Sequence, residues 1–304
     1  MRFSSALTAI VSLTAPLVSA AVIQRQAAPV TVYKFSSGAV WAEGLAARSN
    51  GQLIVSFFDK AELWTLDPST KKATKLASIA GSTCTGAITE ISPDVFAGVV
   101  GQFSFAGGNK PGSWSVWKAD FTGATPQVSI LKAIPEAGML NGITTLGNDT
   151  LLVADALKGS VYRLSVSTGA YSVAIQDATM TPPAGGAMGI DGIRYANGFI
   201  YYTNVFKNTF HKAAVDMTGK LMGAISTIWS NNSSDDLAIG SDGAAYVAAA
   251  GKNQIVKVTA DNKVSTVASA QSPTTVVFGR GATDMNTLYI ATSSGSILSV
   301  PVTM

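Results

Sequence analysis

The chain has 304 residues, of which 13% are charged, and 21 Lys and Arg against 18 Asp and Glu give a formal net charge of +3. With 1 His and 1 Cys, a His-built zinc site, an internal disulfide framework and CxxC chemistry are excluded, and the small, unclustered basic excess excludes an electrostatic nucleic-acid footprint. A hydrophobic fraction of 47% supplies a large core and argues against disorder.

In chain order, residues 1–20 are expected to be a secretory leader. Arg2 gives a short positive start, residues 7–18 form an apolar run too short to span a bilayer comfortably, and Val18-Ser19-Ala20 supplies a small-residue cleavage site. This reading places the protein in the secretory pathway or outside the cell, as one domain over residues 21–304 and as a monomer. No later segment reads as a membrane span, because Gly, Asn, Asp or Lys breaks every apolar run. Asn148, Asn231 and Asn232 open N-x-S/T triplets and are the candidate glycosylation sites.

Residues 30–35 form an orphan alternating strand, and a repeat follows it. A polar lead residue, a small residue and an apolar residue precede a turn and a β-branched run. The copies begin Glu43-Gly44-Leu45, Thr85-Gly86-Ala87, Asn141-Gly142-Ile143, Asp191-Gly192-Ile193, Asp235-Asp236-Leu237 and Thr274-Thr275-Val276. Turn signals such as Asn50-Gly51, Asn197-Gly198 and Asp242-Gly243 punctuate them, and residues 63–66, 161–164 and 255–258 read as third strands. Period-2 alternation without a helical period predicts antiparallel β structure. Six units at 39 to 56 residue intervals predict an all-β, six-bladed β-propeller with four antiparallel strands per blade rather than a sandwich. The orphan strand is expected to complete the last blade and close the ring, removing two exposed edges.

In such a ring the lead residues Glu43, Thr85, Asn141, Asp191, Asp235 and Thr274 gather at one mouth. Hard oxygen donors without His or Cys suit Ca²⁺, Mg²⁺ or Mn²⁺ at Glu43, Asp191 and Asp235. The same residues could instead cap strands and solvate the channel. The connections between second and third strands return to this mouth. They bring residues 101–113, with Phe103 and Phe105 as an apolar lid, and residues 204–208, with Asn204 and Phe206. The blade connection 177–190 adds Met180 and Met188. A polar floor under apolar walls suits a hydrophobic small molecule. His211 is expected on the surface, Cys84 as a buried structural thiol, and Arg280 as a structural residue at the base of the channel.

Asn141-Gly142-Ile143-Thr144, residues 151–155, Gly159-Ser160-Val161-Tyr162-Arg163-Leu164 and Thr168-Gly169 resemble the six-bladed propellers of the senescence-marker/gluconolactonase class. Glu43-Gly44, Asp191-Gly192 and Asp235-Asp236 extend the resemblance over nearly all of residues 21–304. It implies a divalent cation in lactone hydrolysis. Glu43 matches the family's Glu, Asp235 its Asp and Asn141 a substrate-side Asn, whereas Asp191 stands where an Asn is usual.

Residues 170–175, Gly189-Ile190-Asp191-Gly192-Ile193-Arg194, Tyr201-Tyr202-Thr203-Asn204 and Phe278-Gly279-Arg280 are similar to a fungal secreted branch of this superfamily. That branch includes hetero-Diels–Alderases of tropolone sesquiterpenoid biosynthesis. The likeness implies a pericyclase that joins a tropolone o-quinone methide to a humulene-type alkene and needs no cofactor. Asn141, Asn204 and Thr85 would be hydrogen-bond donors, Phe103, Phe105 and Phe206 would be walls, and Glu43 or Asp191 would assist loss of water. A metal-dependent lactone or ester hydrolase using Ca²⁺ or Mg²⁺ is the alternative, and a non-enzymatic binding propeller is a third reading.

Overall fold

A computed structural model describes residues 28–304 apart from 37 and 39; the expected leader lies outside the described residues. Six four-stranded antiparallel sheets form the blades of a propeller. Blade 1 runs Ala42–Ala47, Leu53–Phe57, Glu62–Asp67 and Lys72–Ser78 from the channel outward. The inner strands of the next five blades are Cys84–Ser92, Leu140–Thr145, Ile190–Ala196, Leu237–Ile239 and Pro273–Phe278. Burial falls outward: every residue of Ala42–Ala47 is buried and none of Lys72–Ser78 is. The Gly and Ala of the inner strands fit the crowded centre of the ring, and the Lys and Thr of the outer strands face water.

The strand Val30–Lys34 closes the ring as expected. It pairs antiparallel with Ser296–Pro301, Val30 opposite Ser299 and Lys34 opposite Ser296. Each junction between neighbouring blades holds a hydrophobic cluster. Ile54, Leu63, Ile88, Phe96 and Trp117 fill the junction of blades 1 and 2. Val32, Phe35, Leu45, Phe57 and Tyr289 fill the closing junction of blades 6 and 1. Among the described residues, the helical segments are the short 3₁₀ turns Ala178–Met180 and Ala250–Lys252, and no helix is long and apolar enough to cross a membrane.

The long connection in blade 2 is more regular than expected. Phe103–Ser104 and Gly108–Asn109 pair as a small hairpin. The Thr83 hydroxyl fastens it, accepting from the Phe103 N–H at 2.8 Å and donating to the Phe103 carbonyl at 2.6 Å.

Candidate functional site

The inner strands of blades 1, 3 and 4 enter the channel through β-bulges of one kind. In blade 1 Ala42 pairs with Phe57 and Leu45 with Val55, so three steps on one strand face two on the other. The same shift spans Leu140 to Ile143 and Ile190 to Ile193. A bulge re-aims side chains at a strand end, and here it turns Glu43, Asn141 and Asp191 toward the channel mouth. Blade 2 differs. Its shift falls between Thr85 and Ile88, one residue later. Gly86 therefore occupies the lead position, and the register read from the sequence was one residue out. Thr85 is fully buried, and its hydroxyl exchanges hydrogen bonds with the backbone of Phe57 at 2.8 and 2.9 Å. It does not reach the cavity.

Glu43, Asn141, Asp191, Asp235 and Thr274 lie together at the floor of a cavity of about 600 Å³. Its walls include Phe103, Phe105, Met188 and Phe206, as expected, and also Trp41, Phe58, Met139 and Val205. Trp41 and Met139 stand two residues before the lead residues Glu43 and Asn141, an offset that keeps the same face of an extended chain; that spacing was available in the sequence. Asn204 is placed elsewhere. It is fully buried, its amide donates to the Thr179 and Thr181 carbonyls at 2.8 and 2.9 Å, and its Oδ1 accepts from the Lys207 N–H at 3.0 Å. The Thr274 hydroxyl donates to the Ala42 carbonyl at 2.6 Å, joining blade 6 to blade 1.

Glu43, Asp191 and Asp235 each present a carboxylate oxygen within 4.8 Å of the others. Burial, opposed by the hydrogen bond from Trp41 and assisted by the charge of Asp236, pushes the Glu43 carboxyl up to about 8. Burial first, then mutual repulsion, raises Asp191 and Asp235 well above the ordinary carboxylate range. Trp41 Nε1 donates to Glu43 Oε2 at 2.7 Å, and Asn141 Nδ2 donates to Asp191 Oδ1. Arg194, below the floor, pairs with Asp236 and with the Ile143 and Ile193 carbonyls. It compensates Asp236 rather than the trio. Three converging hard oxygens with no Lys or Arg beside them among the described residues of the cavity lining are a donor set that fits Ca²⁺ or Mg²⁺.

Other residues singled out in the sequence lie apart from this floor. Cys84 is fully buried, and burial pushes its thiol up to about 12, which suits a structural thiol. Arg280 bonds the Ala47 carbonyl at 3.3 Å and pairs with Glu90 at the other end of the inner strands. His211 is buried rather than on the surface, because its strand lies inside blade 4 and its ring stacks on Tyr202. Met180 is a core residue of the junction between blades 3 and 4. Asn148 and Asn231 are exposed. Asn232 is buried, with its backbone on the Asn208 carbonyl at 3.1 Å, so its side chain is withdrawn from a glycan.

The family described as SMP-30/Gluconolactonase/LRE-like region matches residues 35–294. No curated protein matches the chain. Among solved structures, the calcium-binding protein regucalcin from Agrobacterium tumefaciens is similar at 13% identity and a TM-score of 0.66, over 90% of this chain and 93% of that one. A luciferin-regenerating enzyme is similar at 15% identity and 0.65, over 90% and 95%. Virginiamycin B lyase from Staphylococcus aureus is similar at 14% identity and 0.60, over 89% and 98%. Likenesses at these identities establish the fold alone.

Proposed function

The chain belongs to the SMP-30/gluconolactonase/LRE-like family, and we propose that it is an enzyme hydrolysing a lactone or ester of a hydrophobic small molecule, aided by a divalent cation. The observation that carries this reading is the trio Glu43, Asp191 and Asp235 within 4.8 Å at the floor of an apolar cavity. These carboxylates would hold the cation. When bound, such a cation polarises a substrate carbonyl and lowers the pKa of a bound water. Trp41 and Asn141 fix the Glu43 and Asp191 carboxyls by hydrogen bonds. Phe103, Phe105, Met188 and Phe206 bind the apolar body of the substrate and exclude bulk water. The leader-like residues 1–20 support entry into the secretory pathway.

Titrating chelator-treated protein with Ca²⁺, Mg²⁺ and Mn²⁺ tests the reading. At a hundred times Kd a cation adds about 2.7 kcal/mol, which raises Tm by roughly 5–10 °C. Asp191→Ala is expected to abolish that shift and the hydrolysis of aryl and alkyl lactones. The absence of a shift with all three cations would overturn it.

One observation favours the pericyclase as a second reading. Glu43 stands beneath apolar walls with its Oε2 held by Trp41 Nε1, and burial pushes its carboxyl up to about 8, which favours a protonated group that can donate to a polarised carbonyl. Unchanged adduct yield and stereochemistry from a tropolone quinone-methide precursor and humulenol would sink this alternative.

A further inference from the structure

We propose that Trp41 determines specificity and positions Glu43, and that the substrate is an uncharged molecule with a flat, unsaturated ring system seated against it. This rests on the reading of the mouth as a small-molecule site. Trp41 sits two residues before Glu43 on a segment that Asp59 holds, its carboxylate accepting from the N–H groups of Val40 and Trp41 at 2.9 and 3.0 Å. The indole therefore has a fixed place. Its ring lines the cavity while its Nε1 donates to Glu43 Oε2 at 2.7 Å. One side chain thus touches both the apolar wall and the carboxyl at the floor.

Three phenylalanines complete the corner. The Trp41 ring lies 5.2 Å from Phe105 and 5.8 Å from Phe58. Phe103 lies 4.5 Å from Phe58 and meets Phe105 edge-on at 5.4 Å. Rings at such distances favour a further ring in stacked or edge contact. Phe105 remains 64% exposed, so part of its ring is open to a partner.

The polar inventory narrows the class further. Among the described residues, no Lys or Arg lines the cavity, and three carboxylates form its floor. A bound divalent cation would offset only two of the three carboxylate charges, so an anionic substrate meets net repulsion there with no cationic side chain in the described lining to relieve it. A polyhydroxylated one finds Asn109 and Thr274 already engaged, which leaves the Ser272 and Ser293 hydroxyls and the floor carboxyls as partners among mostly apolar walls. Asn109 accepts from Trp114 Nε1 at 2.9 Å and donates to the Gly138 carbonyl at 3.0 Å, and the Thr274 hydroxyl is bound to Ala42. Sugar hydroxyls seated against the aromatic and Met walls would lose their water partners.

The test compares the binding of three probes by calorimetry: a naphthalene-fused δ-lactone, its perhydro counterpart and its carboxylated counterpart. The flat lactone is expected to bind roughly three- to tenfold tighter than the saturated one, and the carboxylated one at least about tenfold more weakly. Trp41→Leu and Phe105→Leu should each erode the flat preference; the second alters an exposed ring and spares the core. Trp41→Phe should keep the preference but lower kcat with KM little changed, because only the bond to Glu43 is lost. Equal binding of flat and saturated probes, or a preference untouched in both Leu variants, would overturn the inference. A flat preference without turnover would preserve it and overturn the hydrolytic reading; turnover without the preference would do the reverse.

Discussion

The imidazole of His211 stacks on Tyr202 with centroids 4.8 Å apart, and its nitrogens meet the hydroxyls of Thr209 at 2.8 Å and Thr227 at 3.1 Å. Hydroxyls can donate or accept, so either neutral tautomer is fully paired there. Burial holds its pKa down at about 4, against an ordinary 6.5. As pH falls below about 6.5 the unfolded chain takes up this proton first, so the stability is complete above that pH and lost progressively toward pH 4. His211→Gln is expected to flatten this acid limb by on the order of 2–3 kcal/mol, read as the difference between variant and native urea midpoints at pH 7.5, 5.5 and 4.5. The raised floor carboxyls act in the opposite sense in both proteins and cancel in that difference. Parallel curves would show that His211 is not the neutral buried group described. The sequence showed the residue and its strand but not the Tyr202 ring beside it. Thr85 and Asn204 were misjudged for the same reason: their partners lie in another blade or another loop, and only tertiary register supplies them.

At the level of the strand, the lead pattern was legible because it is a packing requirement as well as a site. A Cβ added at Gly142 would fall 2.2 Å from the Asp191 carbonyl and 2.9 Å from the Ile193 nitrogen. One added at Gly192 would fall 2.9 Å from the Asp235 carbonyl. Glycine after the lead residue lets the bulges of blades 1, 3 and 4 pass against the next blade, which is why polar-Gly-apolar recurs there, whereas Ala87, Asp236 and Thr275 follow the lead in blades 2, 5 and 6. Hydroxyls then stitch the blades together. Ser56 accepts from the Gly44 N–H at 3.1 Å and donates to the Gly86 carbonyl at 2.6 Å. Thr203 joins Gly192 at 3.0 Å to Asp235 at 2.5 Å in the same way. The equivalence of Gly86 and Asp235 in these links exposes the one-residue offset in blade 2, which composition alone could not show. Gly142→Ala is expected to cost about 1–3 kcal/mol and to weaken cation binding by displacing Asp191. Gly223→Ala, where nothing lies within 4 Å, should stay within about 0.5 kcal/mol. Urea denaturation of both variants, with cation titration of the first, checks this; equal stabilities would remove close blade contact as the reason for the glycine.

The whole ring depends on a closure that joins the beginning of the described chain to its end. The orphan strand was recognisable because its alternation had no sequential partner, while the last repeat stopped one strand short. Val30–Lys34 supplies that strand. Its Val32 and Phe35 side chains are buried, Phe35 meeting Phe57 at 4.9 Å and Trp64 at 5.6 Å across the junction with blade 1. Each such side chain contributes about 1.5–3 kcal/mol on burial, and a domain of this size shifts its Tm by about 2–4 °C per kcal/mol. A chain beginning at Gly38 is therefore expected to melt roughly 10 °C lower. It would also leave Ser296–Pro301 as an unpaired edge, a template for pairing with another chain, so light scattering should show association that the longer chain lacks. Trp41 and Glu43 follow directly on the closing segment, and a loosened junction should blunt cation binding as well. A truncated chain with unchanged Tm, mass and cation affinity would mean that the ring is held by its blade junctions without the closing strand.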